Sequence, residues 1–419
     1  MAVYLDHAAG SPMPASVRGA YLSALEAVGN PSSIHSAGQA ARGMLEDARE
    51  RLAATLGVDA VEMVFTGGGT EAVNLGVKGL FWKRQGGSAT PSARPRPRIL
   101  VPRAEHHATL DAVEWLAAHE GAVLRWLEVD EVGALRLGDL AAALAENPDD
   151  VALLTMLAAN NEVGTLQPVA EAAALAAAQG VPVHVDAIAA YGQLPLAPLP
   201  AGVSAVSLSA HKLGGPVGVG ALVLRRGADV VPLLHGGSQQ RGRSGTMDAA
   251  GAAAFAAASA EAHAAIAERA ARKAQLRDRL AAGILAALPQ VELRGAAGRA
   301  AVARAAGRDA EAAQWAARAL PGTLHLTVPG AEGDSLLMLL DLAGFAVSTG
   351  SACQAGVPEP SHVLLAMGLD EQAARGALRI SLGPETTEAE VDALLAALPA
   401  AVERATSAGL AARTPSLGR

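Results

Sequence analysis

Val203-Ser-Ala-Val-Ser-Leu-Ser-Ala-His-Lys212-Leu-Gly-Gly-Pro216 decides how the rest of the chain is read. Val203 to Leu208 reads as a strand, a lysine follows it directly, and a glycine-rich turn leads into a second apolar run, Gly220 to Leu224. Short apolar runs bounded by turn residues are the mark of strands buried within a sheet. Arg98 to Val101, Val151 to Met156 and Val181 to Val185 have the same character. Helical stretches separate them, one running through Leu110 to Ala118 and an alanine-rich one from Val169 to Gln179. Val61 to Phe65 reads as a further strand, which Thr66-Gly-Gly-Gly69 turns into a helix starting near Thr70. Ser36 is placed to cap a helix from Ala37 to about Leu56, with Ala41, Leu45, Ala48 and Leu52 on one face. This alternation predicts an α/β fold with a mostly parallel sheet covered on both faces.

Further along, the alanine-rich stretch from Ala249 to about Leu288 reads as one helix. It leads to a second α+β unit holding Thr323 to Val328, a helix around Leu336 to Leu342, and Leu378 to Leu382. Residues 85–98 are rich in Gly, Ser, Pro and Arg and read as a solvated loop. The 419-residue chain is 51% hydrophobic and 18% charged, which excludes bulk disorder. The apolar excess is mostly alanine, and no run of about 20 strongly apolar residues fits a membrane span. The start, Met1-Ala-Val-Tyr-Leu-Asp6, lacks the basic region of a signal peptide. A net charge of −8 argues against nucleic acid as the main partner. The single cysteine, Cys353, excludes an intramolecular disulfide and any multi-cysteine metal site. The expectation is a cytoplasmic enzyme.

The lysines are Lys78, Lys83, Lys212 and Lys273 in a chain that otherwise prefers arginine. Lys212 sits at the end of a core strand, where desolvation lowers an amine's pKa and favours Schiff-base chemistry. The other three fall in helical or exposed contexts that predict solvated ammonium groups. From position alone, a surface lysine in a turn reads equally well for Lys212. Val181-Pro-Val-His-Val-Asp186 shifts the balance by placing a carboxylate at the end of an apolar strand, where open α/β sheets bind ligands. A buried aspartate needs a cationic or donor partner, and a protonated pyridine nitrogen is one. Phe65-Thr-Gly-Gly-Gly-Thr70-Glu71 presents free backbone N–H groups at a helix start, enough to cradle one phosphate but matching no nucleotide fingerprint. Ser348-Thr-Gly-Ser-Ala-Cys353-Gln-Ala-Gly356 puts the lone thiol among small polar residues, as suits an accessible nucleophile. Arg379 lies within an apolar strand, where a guanidinium pairs with a carboxylate of the protein or of a substrate, or else faces water at an edge. Together these groups describe pyridoxal phosphate bound to an amino acid, with a thiol acting on the substrate side chain.

Ordered motifs run through nearly the whole chain: Tyr4-Leu-Asp-His-Ala-Ala9, Asn30-Pro-Ser-Ser-Ile-His35, Gly69-Thr-Glu71, Glu105-His106, Asn160-Asn-Glu-Val-Gly164, His184-Val-Asp186, Ser209-Ala-His-Lys212, Arg243-Ser-Gly-Thr246, Gly350-Ser-Ala-Cys353 and Glu359-Pro-Ser-His362. With them the chain resembles the cysteine desulfurases of the iron–sulfur-cluster assembly type, in the class V aminotransferase group of fold-type I pyridoxal-phosphate enzymes. The resemblance implies a large cofactor-binding domain, residues 15–255, with a mostly parallel seven-stranded sheet. A smaller α+β domain, residues 1–14 and 256–419, would carry the cysteine loop. By the same resemblance Lys212 would hold pyridoxal phosphate and move protons, Asp186 would pair with its ring nitrogen, and His106 would stack on the ring and assist. Gly69, Thr70, Ser209 and His211 would take the phosphate, with Thr246 contributed by the neighbouring subunit of a homodimer. Asn161 and Arg379 would hold the carboxylate of L-cysteine. Cys353 would take the sulfur as a persulfide, release L-alanine, and pass sulfur to an acceptor or scaffold protein. Two features depart from the family: alanine at position 189, where the family usually has glutamine, and a Gly236-to-Thr246 loop one residue short. A selenocysteine lyase, an aminotransferase or a non-catalytic assembly partner on the same fold remain competing readings.

Overall fold

The structure is a computed structural model, and it describes residues 2–86, 95–350 and 359–407. The chain opens with a short strand β1 (Val3–Tyr4) and helices α1 (Ala15–Leu25) and α2 (Ser36–Leu56). Then strands β2 (Met63–Thr66), β3 (Arg98–Pro102), β4 (Val123–Leu127), β5 (Val151–Leu157), β6 (Val183–Asp186), β7 (Val203–Ser209) and β8 (Gly220–Leu224) form one seven-stranded sheet. Its order is β2-β8-β7-β6-β5-β3-β4, and all neighbours from β7 to β4 are parallel. Only β8 runs against the rest, pairing antiparallel with both β7 and β2. The intervening helices are α3 (Gly69–Arg84), α4 (His107–Glu120), α5 (Leu137–Glu146) and α6 (Val169–Ala177).

Successive strand residues feed opposite cores. Phe65, Leu100, Leu154 and Val223 pack with α2, α5 and α6 on one face, while Val64, Ile99, Leu153 and Leu222 pack with α3 and α4 on the other. The period of two along a strand makes this division unavoidable once both faces are covered. Every residue of β3, β5 and β8 is buried, as the apolar runs predict.

After the sheet come α7 (Ala249–Ala264), α8 (Ile266–Ala287), β9 (Glu292–Arg294), α9 (Gly295–Ala305), α10 (Asp309–Ala316), β10 (Thr323–Thr327) and α11 (Gly333–Leu342). They are followed by β11 (Phe345–Ala346), α12 (His362–Ala366), α13 (Glu371–Arg375), β12 (Ala377–Ser381) and α14 (Glu388–Ser407). Strands β12, β10 and β9 form a small antiparallel sheet, and β1 pairs in parallel with β11. A separate apolar core joins Leu280 and Ile284 of α8, Leu326 and Leu378 of the small sheet, Leu394 of α14 and, from the start of the chain, Leu5. Among the described residues no helix is long and apolar enough to cross a membrane.

Three expectations need correction. The stretch 249–288 is two helices, because Ala265 leaves helical geometry at φ −141, ψ 41. The cap of α2 is His35, whose Nδ1 accepts the Gly38 N–H at 3.2 Å, and Ser36 is already helical. The strand expected from Val61 begins at Met63, after a single 3-10 turn that the Glu62 carboxylate closes by accepting the Asp59 N–H.

Candidate active site

The carboxyl ends of the parallel strands converge on one region, the place where open sheets present ligands. Lys212 lies in the 3-10 turn that follows β7 and that Gly214 ends at φ 85, in the left-handed region where glycine carries no penalty. Its Nζ donates to the carbonyls of Ala8 at 2.6 Å and Ala9 at 3.1 Å. Burial, then the Arg379 charge, lowers its pKa from 10.5 to about 8, against the opposing pull of Asp6 and Asp186. Lys212 shares a cavity with His7, Asn161, Ala189, Gln193 and Ser381.

Asp186 ends β6, buried, with Oδ1 accepting the Ile188 N–H at 2.9 Å. Burial raises it from 3.8 to about 6, which that hydrogen bond and Lys212 both oppose. Glu105 lies beside it: Leu157, the register partner of Asp186, donates its N–H to Glu105 Oε1 at 2.9 Å. Full burial holds Glu105 well above the usual carboxylate range, and Asp186 adds to the effect. His106 caps α4, its Nδ1 accepting the Ala108 N–H at 3.1 Å. The residue is exposed, yet packing around the imidazole and the nearby Lys212 lower it to about 4, which makes a neutral ring at physiological pH.

The glycine turn is built as an anion cradle. Gly68 has φ 143, and α3 begins at Gly69 with first-turn N–H groups that have no acceptor within the helix. A Cβ on Gly69 would stand 2.5 Å from Ile188 Cδ1 and 3.0 Å from Ser209 Cβ, so the close approach of these segments requires glycine. Ser209 Oγ and His211 Nδ1 are bonded at 2.8 Å, and burial with Lys212 lowers the His211 pKa. Thr70 is exposed on the first turn of α3. The Gly236-to-Thr246 loop reaches the same helix end: Arg243 Nε donates to Glu71 Oε1 at 2.9 Å, while Glu71 Oε2 accepts the Gly67 N–H at 2.7 Å. Thr246 is exposed two residues before Asp248, which caps α7. Among the described residues no hydrogen bond joins Thr246 to the groups around Lys212.

A clamp stands near Lys212, with its Asn161 on the cavity wall. Arg379 is 5% exposed, which excludes the water-facing edge reading. Its Nη2 donates to Asp6 Oδ1 at 2.9 Å and its Nη1 to the Asn161 carbonyl at 3.0 Å. Arg379 Nε and Asn161 Oδ1 are buried with no hydrogen-bond partner among the described residues. The Arg379 backbone bonds Ser348 in both directions, Ser348 N–H to Arg379 O at 3.1 Å and Arg379 N–H to Ser348 O at 2.6 Å. The segment that carries the thiol therefore departs from the clamp itself. Cys353 lies outside the described residues.

Asp6, His7 and Glu105 fall within the quoted motifs but carry no role in the sequence reading, because their partners stand far along the chain. Lys273 is a correction. Instead of being solvated it is buried, lowered to about 8 mainly by that burial, and hydrogen-bonded to Gln193 on the wall of the Lys212 cavity.

The chain belongs to the class-V aminotransferase family, whose model matches residues 3–394. Within it, the chain is 48% identical over 410 residues to an IscS-like cysteine desulfurase of Mycobacterium tuberculosis, covering 98% of both chains. Among solved structures it is similar to a NifS-like protein with a TM-score of 0.83 at 32% identity, covering 96% of this chain and 100% of that one. A structure of SspA in complex with cysteine matches with a TM-score of 0.72 at 27% identity over 92% of this chain and all of that one.

Proposed function

We infer that the protein is a pyridoxal-phosphate-dependent cysteine desulfurase, which converts L-cysteine and the Cys353 thiol into L-alanine and a Cys353 persulfide. The observation that carries this reading is Lys212. Its weakly basic amine stands at a strand end in one cavity with Asn161, near an arginine whose backbone is hydrogen-bonded to Ser348, five residues before Cys353 in the chain. The donor set fits the cofactor. The Gly69 approach that a Cβ would fill sets the α3 N-terminus beside the hydrogen-bonded Ser209 and His211 pair, where a phosphate would be held, and Asp186 offers the carboxylate that a protonated ring nitrogen needs.

What pyridoxal phosphate supplies when bound is electron withdrawal from the substrate's Cα. The chain does the rest. With a pKa near 8, Lys212 has a neutral fraction near physiological pH and serves both as the amine that bonds the cofactor and as a proton carrier. The neutral His106 ring is suited to stack and to pass a proton. Arg379 and Asn161 hold the substrate carboxylate, drawing on the unpaired Arg379 Nε and the Asn161 side chain. The Cys353 thiolate attacks the substrate sulfur: the S–S bond forms as the C–S bond breaks, and a proton restores the methyl group of alanine.

By the same reading Thr246 completes the phosphate site of a second subunit in a homodimer, and the apolar, exposed Leu22, Leu25, Val28 and Ile34 support such an interface. Residues 15–255 form the cofactor domain and residues 1–14 with 256–419 the smaller one. The persulfide then goes to an acceptor or iron–sulfur scaffold protein in the cytoplasm. The test is to incubate purified, cofactor-loaded protein with L-cysteine and measure alanine and protein-bound persulfide together. Equal amounts in the first turnover are expected, with both lost in C353S. Unchanged sulfide release from C353S refutes the reading.

A further inference from the structure

Glu162 follows Asn161 in the chain, is 2% exposed, and forms no ion pair among the described residues. Burying a carboxylate is costly unless it is well bonded, so its hydrogen bonds show what it is kept for. Ser361, itself 1% exposed, donates its hydroxyl to Glu162 Oε2 at 2.5 Å. The same Ser361 oxygen accepts the Leu364 N–H at 3.2 Å and so caps α12. The same Glu162 oxygen also faces Gly350: a Cβ there would stand 3.2 Å from it, and Gly350 has φ 94. Gly350 and Ser361 stand on either side of the segment containing Cys353. Glu162 is fixed in turn, since its N–H and that of Val163 both donate to Asn160 Oδ1, at 2.9 and 3.0 Å, while Asn160 Nδ2 donates to the Ala104 carbonyl at 2.9 Å. One carboxylate thus meets the chain before and after the thiol, one residue from the carbonyl that holds Arg379.

We propose that Glu162 is a positioning residue for sulfur transfer, tying both flanks of the thiol-bearing segment to the loop that presents Asn161. The proposal rests on the cysteine desulfurase reading and adds to it. A misplacement of about 1 Å in a reacting group costs on the order of 100-fold in rate. Loss of the tie therefore falls on the step that uses Cys353, and substrate binding is spared.

The test uses the full-length, cofactor-loaded enzyme with Glu162→Ala, Glu162→Gln and Ser361→Ala. Single-turnover persulfide formation on Cys353 should slow by about 10- to 100-fold in E162A and S361A, with KM for L-cysteine within about threefold of wild type. E162Q should be slowed by less than about threefold, because its carbonyl accepts the same hydroxyl. The E162A/S361A double variant should be no slower than E162A, since both changes break one bond. Persulfide formation within about twofold of wild type in S361A, or an equal loss in kcat and KM, overturns the proposal. If E162A does not fold, S361A decides. If the wild type makes no alanine, the functional reading has failed. The tie is then judged by iodoacetamide alkylation of Cys353, where a change of about fivefold or more in S361A upholds it and an unchanged rate overturns it.

Discussion

The two groups of residues that flank Lys212 are made in opposite ways. On the strand side, Asp186, Ser209 and Lys212 arrive from adjacent parallel strands whose register fixes them side by side, with Leu157 opposite Asp186 and Asp186 opposite Ser207. On the clamp side, Asp6, Asn161, Ser348 and Arg379 come from four distant segments, and Arg379 joins the others by one hydrogen bond each to Asp6 and Asn161 and two to Ser348. A sheet delivers groups to a predictable place because every parallel strand ends at the same edge. A clamp needs each bond to be made individually, so it is specific but open to disruption one partner at a time.

The largest effect expected on either side is from Lys212→Ala. Loss of the strand-side amine should cut alanine formation by about 1,000-fold or more and abolish the borohydride-sensitive visible absorbance, both read in one assay. Arg379→Ala attacks the clamp and should separate the sides, raising KM for L-cysteine about 100-fold while cofactor absorbance remains. If R379A loses the absorbance as well, the division is wrong. Gly69→Ala forces a methyl against Ile188 and Ser209, and should weaken cofactor retention about tenfold by equilibrium dialysis, with KM for L-cysteine little changed.

The smallest effect concerns two buried histidines. His184 of β6 is bonded at both nitrogens, to Thr155 Oγ1 at 2.9 Å and Ser207 Oγ at 2.8 Å. His325 of β10, paired across the small sheet with Arg379, has no partner at either nitrogen among the described residues. Burial lowers each from 6.5 to about 3, helped at His325 by Arg379 and Arg294. A histidine depressed in the fold takes up protons only in the unfolded chain as pH falls below 6.5, so stability is full above that pH and declines toward 3. His325→Leu should leave neutral-pH stability within about 1 kcal/mol and raise it by about 2 kcal/mol relative to wild type at pH 5, measured by urea unfolding. His184→Asn should instead lose about 1–3 kcal/mol at neutral pH, because two hydroxyl groups lose their partner.

The strand side was readable in the sequence for the same reason that it is regular. Apolar runs with a lysine or aspartate at the end carry both the sheet and the site in one pattern, and the glycine cluster at 67–69 marks the cradle. The seven-strand count and the residue roles came from motifs shared with a family. What pattern could not reach was the clamp. Asp6 and Glu162 look like ordinary polar residues until residues more than 190 positions later fold back on them. The break at Ala265 was hidden because alanine on every face erases helical periodicity. Lys273 was misread for a related reason: nothing in an alanine-rich helix announces that Gly322, whose added Cβ would lie 3.3 Å from Lys273 Cδ, lets the small sheet close over it.

The short stretch from Val3 to Ser11 has a consequence for how the molecule comes into being. It pairs with β11, sends Leu5 into the core of the last third of the chain, and receives the Lys212 ammonium on the Ala8 and Ala9 carbonyls. Ser11 then bonds the backbone of His211 and of Lys212. This stretch must wait for segments more than 200 residues further along before it can settle. A chain with only its large sheet formed still lacks the seat for its reactive amine, so chemistry waits until β11 and the second core have come together.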